Sequence, residues 1–249
     1  MISTNAIVMA AASTHDGDMA AIAPGGSKAR IPINGRPAIS YVIDNLQACD
    51  LISNVTLVCD KATSELAPNA DTYVEANGDG AGDILAGVRA TDGAERCLVI
   101  SGDMPLASSE AIADFLTHAP KCDVIYPVVE RNDVEEFFPD RNVHYVGTSD
   151  GHFTGSGILL FRPEVALSRE NLLTALLNAR RNPASLVGLL GPALAFKMLV
   201  SRLSVRDFEG HLSTALGLNC RVFVSHYPEL IVSIDSPEDI RLIEDELNG

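Results

Sequence analysis

Short apolar runs alternate with amphipathic segments over the first half of the chain. The runs at residues 6–9, 55–59, 71–75, 97–100 and 122–128 are typical of short, mostly buried strands, that at 71–75 being the weakest. Between them, apolar residues at helical spacing predict helices over residues 37–49, 82–91 and 108–118. This β-α-β-α rhythm predicts an α/β fold with a mostly parallel sheet covered by helices on both faces.

The pattern changes from about residue 143. Residues 143–148 and 153–161 predict antiparallel strands joined by a hairpin turn at Ser149-Asp150-Gly151. Strand character returns at 222–225 and 230–234, and Ser236 and Pro237 are suited to begin a last helix. We therefore expect one domain over residues 1–249, Rossmann-like with three α/β/α layers and an antiparallel hairpin.

A helical insertion is predicted at about residues 163–216. Its stretch 185–203 is strongly apolar, with a break expected at Gly191-Pro192. The plain interpretation is a buried helical pair packed on the sheet. The alternatives are a contact between two copies of the chain, a pocket for an apolar acceptor, or a patch that touches a membrane.

The acidic charge limits the classes of partner. The chain of 249 residues carries 33 acidic and 18 basic residues, a formal net charge of -15. Such a charge argues against broad nucleic-acid binding and against an anionic membrane surface as the main partner. If the ligand is a nucleotide, local cations or Mg²⁺ must meet its phosphates, because the overall field repels them.

Cysteine usage and hydropathy predict a cytoplasmic protein. The five cysteines show no Cys-x-x-Cys spacing, and most lie in or beside apolar runs, so free buried thiols suit a reducing compartment. The first residues lack a basic segment followed by an apolar one, and no apolar stretch reaches the roughly 20 residues of a spanning helix. We expect neither a signal peptide nor a transmembrane segment.

A carboxylate follows the predicted strand 97–100. Gly102 allows the backbone to turn, Pro105 stops the strand, and Asp103 between them lies at the sheet edge where open α/β folds bind ligands. Asp103 is a candidate ligand for a divalent cation. The alternative is a simple turn with no ligand.

Small residues and cations follow the first predicted strand. Small side chains after residue 9 allow a backbone to approach phosphates, and Lys28 offers a point charge to a phosphoryl group. Arg30 and Arg36 add charge nearby. Their alternative interpretation, favoured from sequence, is solvated loop charge.

Several motifs occur in an order that resembles the MobA-like nucleotidyltransferases of the GT-A fold. They are the stretch 6–11, Lys28, the stretch 32–37, the stretch 102–106 and the stretch 235–239. The resemblance covers roughly residues 5–161 and 219–247. It implies a GT-A fold and a Mg²⁺-dependent nucleotidyltransferase of the EC 2.7.7 type. Such an enzyme moves a nucleoside monophosphate from a nucleoside triphosphate to a phosphorylated small-molecule acceptor and releases pyrophosphate.

The resemblance also implies roles for individual residues. The loop 10–27 would wrap the phosphates, the segment 77–83 would face the base and ribose, and a turn at 154–156 would form the acceptor side. The implied catalytic residues are Lys28 and Asp103, and the implied Mg²⁺ ligands are Asp103 and Asp235. The implied nucleotide-binding residues are Ala10, Ala11, Ala12, Ser13, Lys28, Asn77, Gly78, Gly82, Asp83 and Gly102, and the acceptor-binding residues are Thr154, Gly155 and Ser156. Asp235 has a second interpretation, as a strand-end residue beside a capped helix.

One departure from the family pattern leaves the activity open. Where the family has Ala-Gly-x-Gly-x-Arg-Met in outline, residues 11–19 lack the two glycines at the corresponding positions and the arginine, and Asp16 and Asp18 add negative charge. Either the phosphates are held differently, for example by Gly25-Gly26-Ser27, or activity is weakened. The alternative functions are a non-catalytic nucleotide-binding or regulatory protein and a GT-A glycosyltransferase, although Asp103 lacks the second acid of an Asp-x-Asp motif.

Overall fold

Four parallel strands bring their carboxyl ends to one edge of the central sheet. The computed structural model describes residues 3–11, 18–91, 93–170 and 203–249. Within them, β1 (Thr4–Met9) pairs in parallel with β4 (Ile52–Cys59) on one side and with β6 (Arg96–Ser101) on the other, and β5 (Thr72–Glu75) extends the sheet beyond β4. Met9 is opposite Ser101, and Cys59 is opposite Glu75. The loops that follow these strands therefore leave the sheet side by side.

The other half of the sheet is mixed. β10 (Ile158–Phe161) lies between β6 and β7 (Val124–Glu130) and is antiparallel to both. β9 (Gly151–Gly155) also pairs with β7, and its hairpin with β8 (Val146–Thr148) confirms the predicted turn. β11 (Cys220–Ser225) pairs in parallel with the other side of β7. A separate two-stranded ribbon consists of β2 (Pro32–Ile33) and β3 (Arg36–Pro37).

Helices cover both faces of the sheet, as the sequence predicts. Ile39 and Ile43 of α2 (Ala38–Gln47) and Phe115 of α5 (Ser109–His118) belong to one buried cluster, whereas Ile84 and Leu85 of α4 (Gly80–Ala90) pack on the opposite face. These fully covered faces explain the near-continuous apolar character of the parallel strands. The described helices are α1 (Asp18–Ile22), α2 (Ala38–Gln47), α3 (Lys61–Ser64), α4 (Gly80–Ala90), α5 (Ser109–His118), α6 (Arg131–Phe137), α7 (Pro163–Ser168), α8 (Val205–Leu216) and α9 (Pro237–Asn248).

The strand predicted at 230–234 is wrong. Pro228–Ile231 forms a 3-10 turn, and the residues up to Ser236 have no regular structure. Leu230, Val232 and Ile234 are buried, so the apolar run fills a core without joining the sheet. A short apolar run does not distinguish these two arrangements. The helix α6 was also not predicted from the sequence, because Val134 is its one buried residue and leaves no apolar pattern.

The helical insertion is described only at its two ends. Residues 163–168 and 205–216 are helical, whereas residues 171–202 lie outside the described part of the chain. The predicted apolar pair, its break at Gly191-Pro192 and its three alternative roles therefore stay predictions. Among the described helices, none has the length and apolar character needed to cross a membrane.

Candidate active site

Gly102 packs closely against the end of β1, and this packing places Asp103 at the edge of the sheet. The Gly102 amide donates to the Met9 carbonyl over 2.9 Å, which links the ends of β6 and β1. A Cβ at Gly102 would lie 2.9 Å from both Ala10 Cβ and Ile39 Cδ1, too close for an ordinary contact. The glycine is thus required by packing, and its predicted contact with a nucleotide stays a prediction. Met104, which is fully buried, anchors the loop on the other side of Asp103.

Asp103 is a nearly buried carboxylate with two polar neighbours. Its side chain is 11% exposed, the Ser101 hydroxyl donates to Oδ1, and the Lys28 ammonium lies 3.9 Å from Oδ2. Burial raises the pKa of Asp103 above its ordinary value, and the proximity of Asp235 adds to this effect. Ser101 and Lys28 oppose it only in part. A cation with more charge than Lys28 would therefore be favoured at this carboxylate.

Lys28 joins the two predicted metal-binding carboxylates. It begins a 3-10 turn, Lys28–Arg30, and this turn is held against the end of β1 because the Ser27 hydroxyl donates to the Ala10 carbonyl over 3.1 Å. The Lys28 ammonium donates to Asp235 Oδ1 over 2.6 Å. The three charged groups form one cluster with a formal charge of -1.

Asp235 is the exposed member of this cluster. Its side chain is 59% exposed, and the Ser233 hydroxyl donates to Oδ2 over 2.6 Å. Partial burial tends to raise the pKa of Asp235, but hydrogen bonds from Lys28 and Ser233 outweigh it, so the pKa is lowered. The Ile234 amide donates to the Asp103 carbonyl over 3.1 Å, so the two carboxylate-bearing loops are bonded directly. This contact holds the Asp235 segment beside Asp103, and the two interpretations of Asp235, as a metal ligand or as a residue before a capped helix, both stay predictions.

The donor set suits Mg²⁺ bound together with a nucleotide. Mg²⁺ usually takes one or two carboxylates and completes its shell with waters and phosphate oxygens. Asp103 and Asp235 are the two carboxylates that could hold it, and the described residues contain no group of three or more His, Cys, Asp or Glu side chains suited to a metal. The remaining ligands would have to come from water and phosphate.

The predicted phosphate side of the site is described in part. Ala10, Ala11, Lys28 and Asp103 line one small cleft, together with Met9, Ser27, Ala29 and Ser101. Ala12, Ser13 and Asp16 lie outside the described residues, as does the side chain of Asp18. Their predicted roles are therefore not tested by the structure.

The segment predicted to face the base and ribose follows β5 at the same sheet edge. Asp83 is buried, and its Oδ1 accepts from the Asn77 amide over 2.8 Å, while Asn77 Oδ1 accepts from the Asp79 amide over 2.8 Å. Gly78 has a left-handed φ of 83°, and Gly82 packs beside the Asp79 side chain. Asp83 thus shapes this loop from within. β5 is three strands from β6, or about 14 Å at the usual strand spacing.

Of the predicted acceptor residues, Thr154 and Ser156 are buried, whereas Gly155 is exposed. Gly155 packs against the Tyr126 ring, and the Tyr126 hydroxyl donates to the Ser156 carbonyl over 3.1 Å. The Ser156 hydroxyl is buried and accepts from the Ile158 amide over 3.2 Å, while Thr154 is opposite a residue of β7. Next along the chain, Gly157 packs on Met104, so this segment adjoins the loop of Asp103. Binding of an acceptor here stays a prediction.

The interpretation of Arg30 as solvated loop charge is wrong. Its side chain is 14% exposed, pairs with Asp60 and donates to Thr63 Oγ1 over 2.6 Å. Gly25, with a φ of 62°, lies beneath the Arg30 guanidinium. The predicted phosphate-holding stretch at 25–27 is therefore part of a structural turn in this structure. Arg36, by contrast, is 52% exposed, as the interpretation of it as solvated charge predicts, and it also pairs with Asp44 at the surface.

The serines that orient the two carboxylates were not predicted as site residues from the sequence. Ser101 and Ser233 each stand two residues before an aspartate and donate to its carboxylate. The repeated Ser-x-Asp pattern, at 101–103 and 233–235, is the signal that would have found them. Arg141, which donates to the backbone before Asp235, carried no such signal, and Asp239 lies in the motif 235–239 but was not marked as the partner of Arg141.

Comparisons with known proteins agree with this geometry. The sequence profile of the MobA-like NTP transferase domain matches residues 12–190. No curated protein sequence matches the chain significantly. A hypothetical transferase from Thermus thermophilus has a similar structure, with 29% identity and a TM-score of 0.85, covering 96% of this chain and 100% of that one.

Two more distant structures share the fold. A 4-diphosphocytidyl-2C-methyl-D-erythritol synthase from Anaerococcus prevotii is 16% identical with a TM-score of 0.61, covering 100% of this chain and 97% of that one. A CMP:2-keto-3-deoxy-manno-octonic acid synthetase complexed with CTP is 13% identical with a TM-score of 0.65, covering 99% and 98%. Because the profile spans well over half of the chain, this protein belongs to the MobA-like NTP transferase family.

Proposed function

We propose that the protein is a Mg²⁺-dependent nucleotidyltransferase that moves a nucleoside monophosphate from a nucleoside triphosphate to a phosphorylated small molecule and releases pyrophosphate. The observation that carries this proposal is the cluster of Asp103, Lys28 and Asp235 at the carboxyl edge of the parallel strands. The reaction needs positioning and charge neutralisation more than a covalent nucleophile. In this cluster the two carboxylates could bind the metal ion, and the Lys28 ammonium could bind the phosphates.

The chain's own residues would divide the work. Asp103 and Asp235 would hold Mg²⁺, which when bound neutralises charge on phosphate oxygens. Ser101 and Ser233 fix the orientation of the two carboxylates. Lys28, whose ammonium lies between them, would turn to the phosphate oxygens and offset the charge that develops as pyrophosphate leaves.

The remaining features of the proposal follow from charge and family. A nucleoside triphosphate is the expected first substrate, whereas the base and the acceptor stay open. The net charge of -15 supports a small-molecule acceptor over a nucleic acid. A cytoplasmic location and a dimer formed through residues 163–216 are also part of the proposal.

Pyrophosphate release by an Asp103→Ala variant tests the proposed chemistry. We expect Mg²⁺-dependent release, measured with each of the four nucleoside triphosphates and a panel of sugar and polyol phosphates, to be abolished while the variant stays folded by circular dichroism. Asp50→Ala removes an exposed aspartate and serves as the matched control, with full activity expected. Full activity in the Asp103→Ala variant would refute the metal-site assignment.

A non-catalytic nucleotide-binding protein is the second candidate, because residues 11–19 lack the family's glycines and arginine. A thermal-shift screen of the four triphosphates, with and without Mg²⁺, detects binding by mass action whether or not turnover occurs. A Mg²⁺-dependent shift without turnover on any acceptor would favour this candidate. Release of a nucleoside diphosphate from a sugar nucleotide would instead indicate a glycosyltransferase.

A further inference from the structure

The segment that carries Asp235 depends on side-chain bonds for its position. Residues 232–236 are neither helix nor strand. Arg141, from the loop after α6, donates to the Ile231 carbonyl over 2.9 Å and to the Ser233 carbonyl over 3.2 Å. Its side chain is only 11% exposed, so these bonds are shielded from water. Arg141 therefore binds the backbone directly before Asp235.

A buried carboxylate completes this arrangement from the other side. Arg141 Nε donates to Asp239 Oδ1 over 2.9 Å, and the Asp239 side chain is 9% exposed. Asp239 Oδ2 accepts from the Asp235 amide over 3.0 Å and from the Ser236 amide over 2.8 Å. The ion pair thus holds the backbone on both sides of the Asp235 side chain, and the Ile234 amide ties the same segment to the Asp103 carbonyl.

We propose that Arg141 is a positioning residue, which sets the placement of Asp235 relative to Asp103 and so the affinity of the site for its divalent cation. The inference rests on the proposed function. Arginine suits this role because its planar fork donates to three acceptors in fixed directions, whereas a lysine ammonium on a flexible stem does not reproduce that geometry. Residues that orient metal ligands typically contribute 10–100-fold to metal affinity.

Metal binding by an Arg141→Lys variant tests this role. In the presence of a saturating nonhydrolysable triphosphate, we expect the dissociation constant for Mn²⁺, measured by electron paramagnetic resonance, to rise about 10–100-fold. Affinity for the triphosphate without metal should stay unchanged, which separates positioning from a general loss of structure. Arg162→Lys, at a 53% exposed arginine, is the matched control and should bind Mn²⁺ like the wild type.

Two further variants keep the test decisive. Asp239→Asn preserves the size of the side chain but weakens the ion pair with Arg141. It should therefore also lower Mn²⁺ affinity, and it provides the test if Arg141→Lys folds poorly. In an Asp235→Asn background, Arg141→Lys should have little further effect, because Arg141 acts through Asp235. A wild type that binds no Mn²⁺ with the nucleotide would overturn the proposed function and the inference together. Wild-type Mn²⁺ affinity in folded Arg141→Lys and Asp239→Asn variants would overturn the inference alone.

Discussion

Replacing Lys28 by methionine tests whether its ammonium offsets the charge of Asp103 and Asp235 at the place where a metal ion would otherwise do so. Lys28 is 19% exposed and lies 3.9 Å from Asp103, whose side chain is 11% exposed. At that separation the attraction is roughly 4 kcal/mol for an effective dielectric constant of about 20. The closer contact with Asp235 adds less, because that carboxylate is 59% exposed and hydrated.

The expected loss of stability is smaller than this attraction. Truncating one partner of a buried ion pair costs about 3–5 kcal/mol. The cost is lower here, because Asp103 can take up a proton and Asp235 stays hydrated. We therefore expect Lys28→Met to lower the free energy of unfolding by about 2–3 kcal/mol at neutral pH. If the two carboxylates, no longer paired with Lys28, then bind Mg²⁺ with a dissociation constant of about 1 mM, about 10 mM Mg²⁺ restores about 1.4 kcal/mol.

Urea unfolding with and without Mg²⁺ measures both effects. Wild-type protein should respond less to Mg²⁺ alone than the variant, because Lys28 already offsets part of the charge of the two carboxylates. Lys121→Met, at an exposed lysine, is the matched control and should be neutral in both conditions. The reasoning would be refuted by wild-type stability in Lys28→Met, or by a Mg²⁺ response no larger than that of the wild type.

Three further predictions, two of them with a matched control variant, can be measured by urea unfolding. Burial raises the pKa of Asp103 in the folded protein above its ordinary value of about 3.9. The protonated carboxyl therefore stabilises the wild type at low pH, and this stabilisation is lost as pH rises through the folded-state pKa. Asp103→Asn, which cannot ionise, should be more stable than the wild type at pH 7, and the difference should fade on acidification. Arg30→Ala should cost about 1–3 kcal/mol by leaving its buried network unpaired, whereas Arg36→Ala should stay within about 0.5 kcal/mol. Gly102→Ala should cost about 1–3 kcal/mol through overpacking, whereas Gly80→Ala, with open space around it, should not; equal stability of the two alanine variants would contradict the packing argument.

The sequence predicts the site best where local pattern and sheet geometry act together. The runs that become β1 and β6 are apolar because both faces of the sheet are covered, and their parallel pairing brings Lys28 and Asp103 to one edge. Asp235 joins them from the far end of the chain, as the family resemblance implies. The position of Asp103 follows from the end of a strand, whereas Lys28 and Asp235 follow from the order of the motifs.

The features that the sequence did not reveal depend on contacts between distant segments. Arg141 and Asp239 are 98 residues apart, and neither lies in a pattern that marks it as a partner of the other. Arg30 looks like loop charge until the fold brings it to Asp60, which follows β4. Likewise, the apolar residues at 230–234 fill a core, and only the packing of the surrounding elements decides against a strand.

A crystal structure with a nonhydrolysable nucleoside triphosphate and Mn²⁺ tests the central claim most directly. We expect an anomalous-scattering peak within bonding distance of Asp103, Asp235 and phosphate oxygens. We also expect the Lys28 ammonium, which donates to Asp235 over 2.6 Å without ligand, to contact the phosphates instead. A metal bound elsewhere, with Lys28 still bridging the two carboxylates, would contradict the claim.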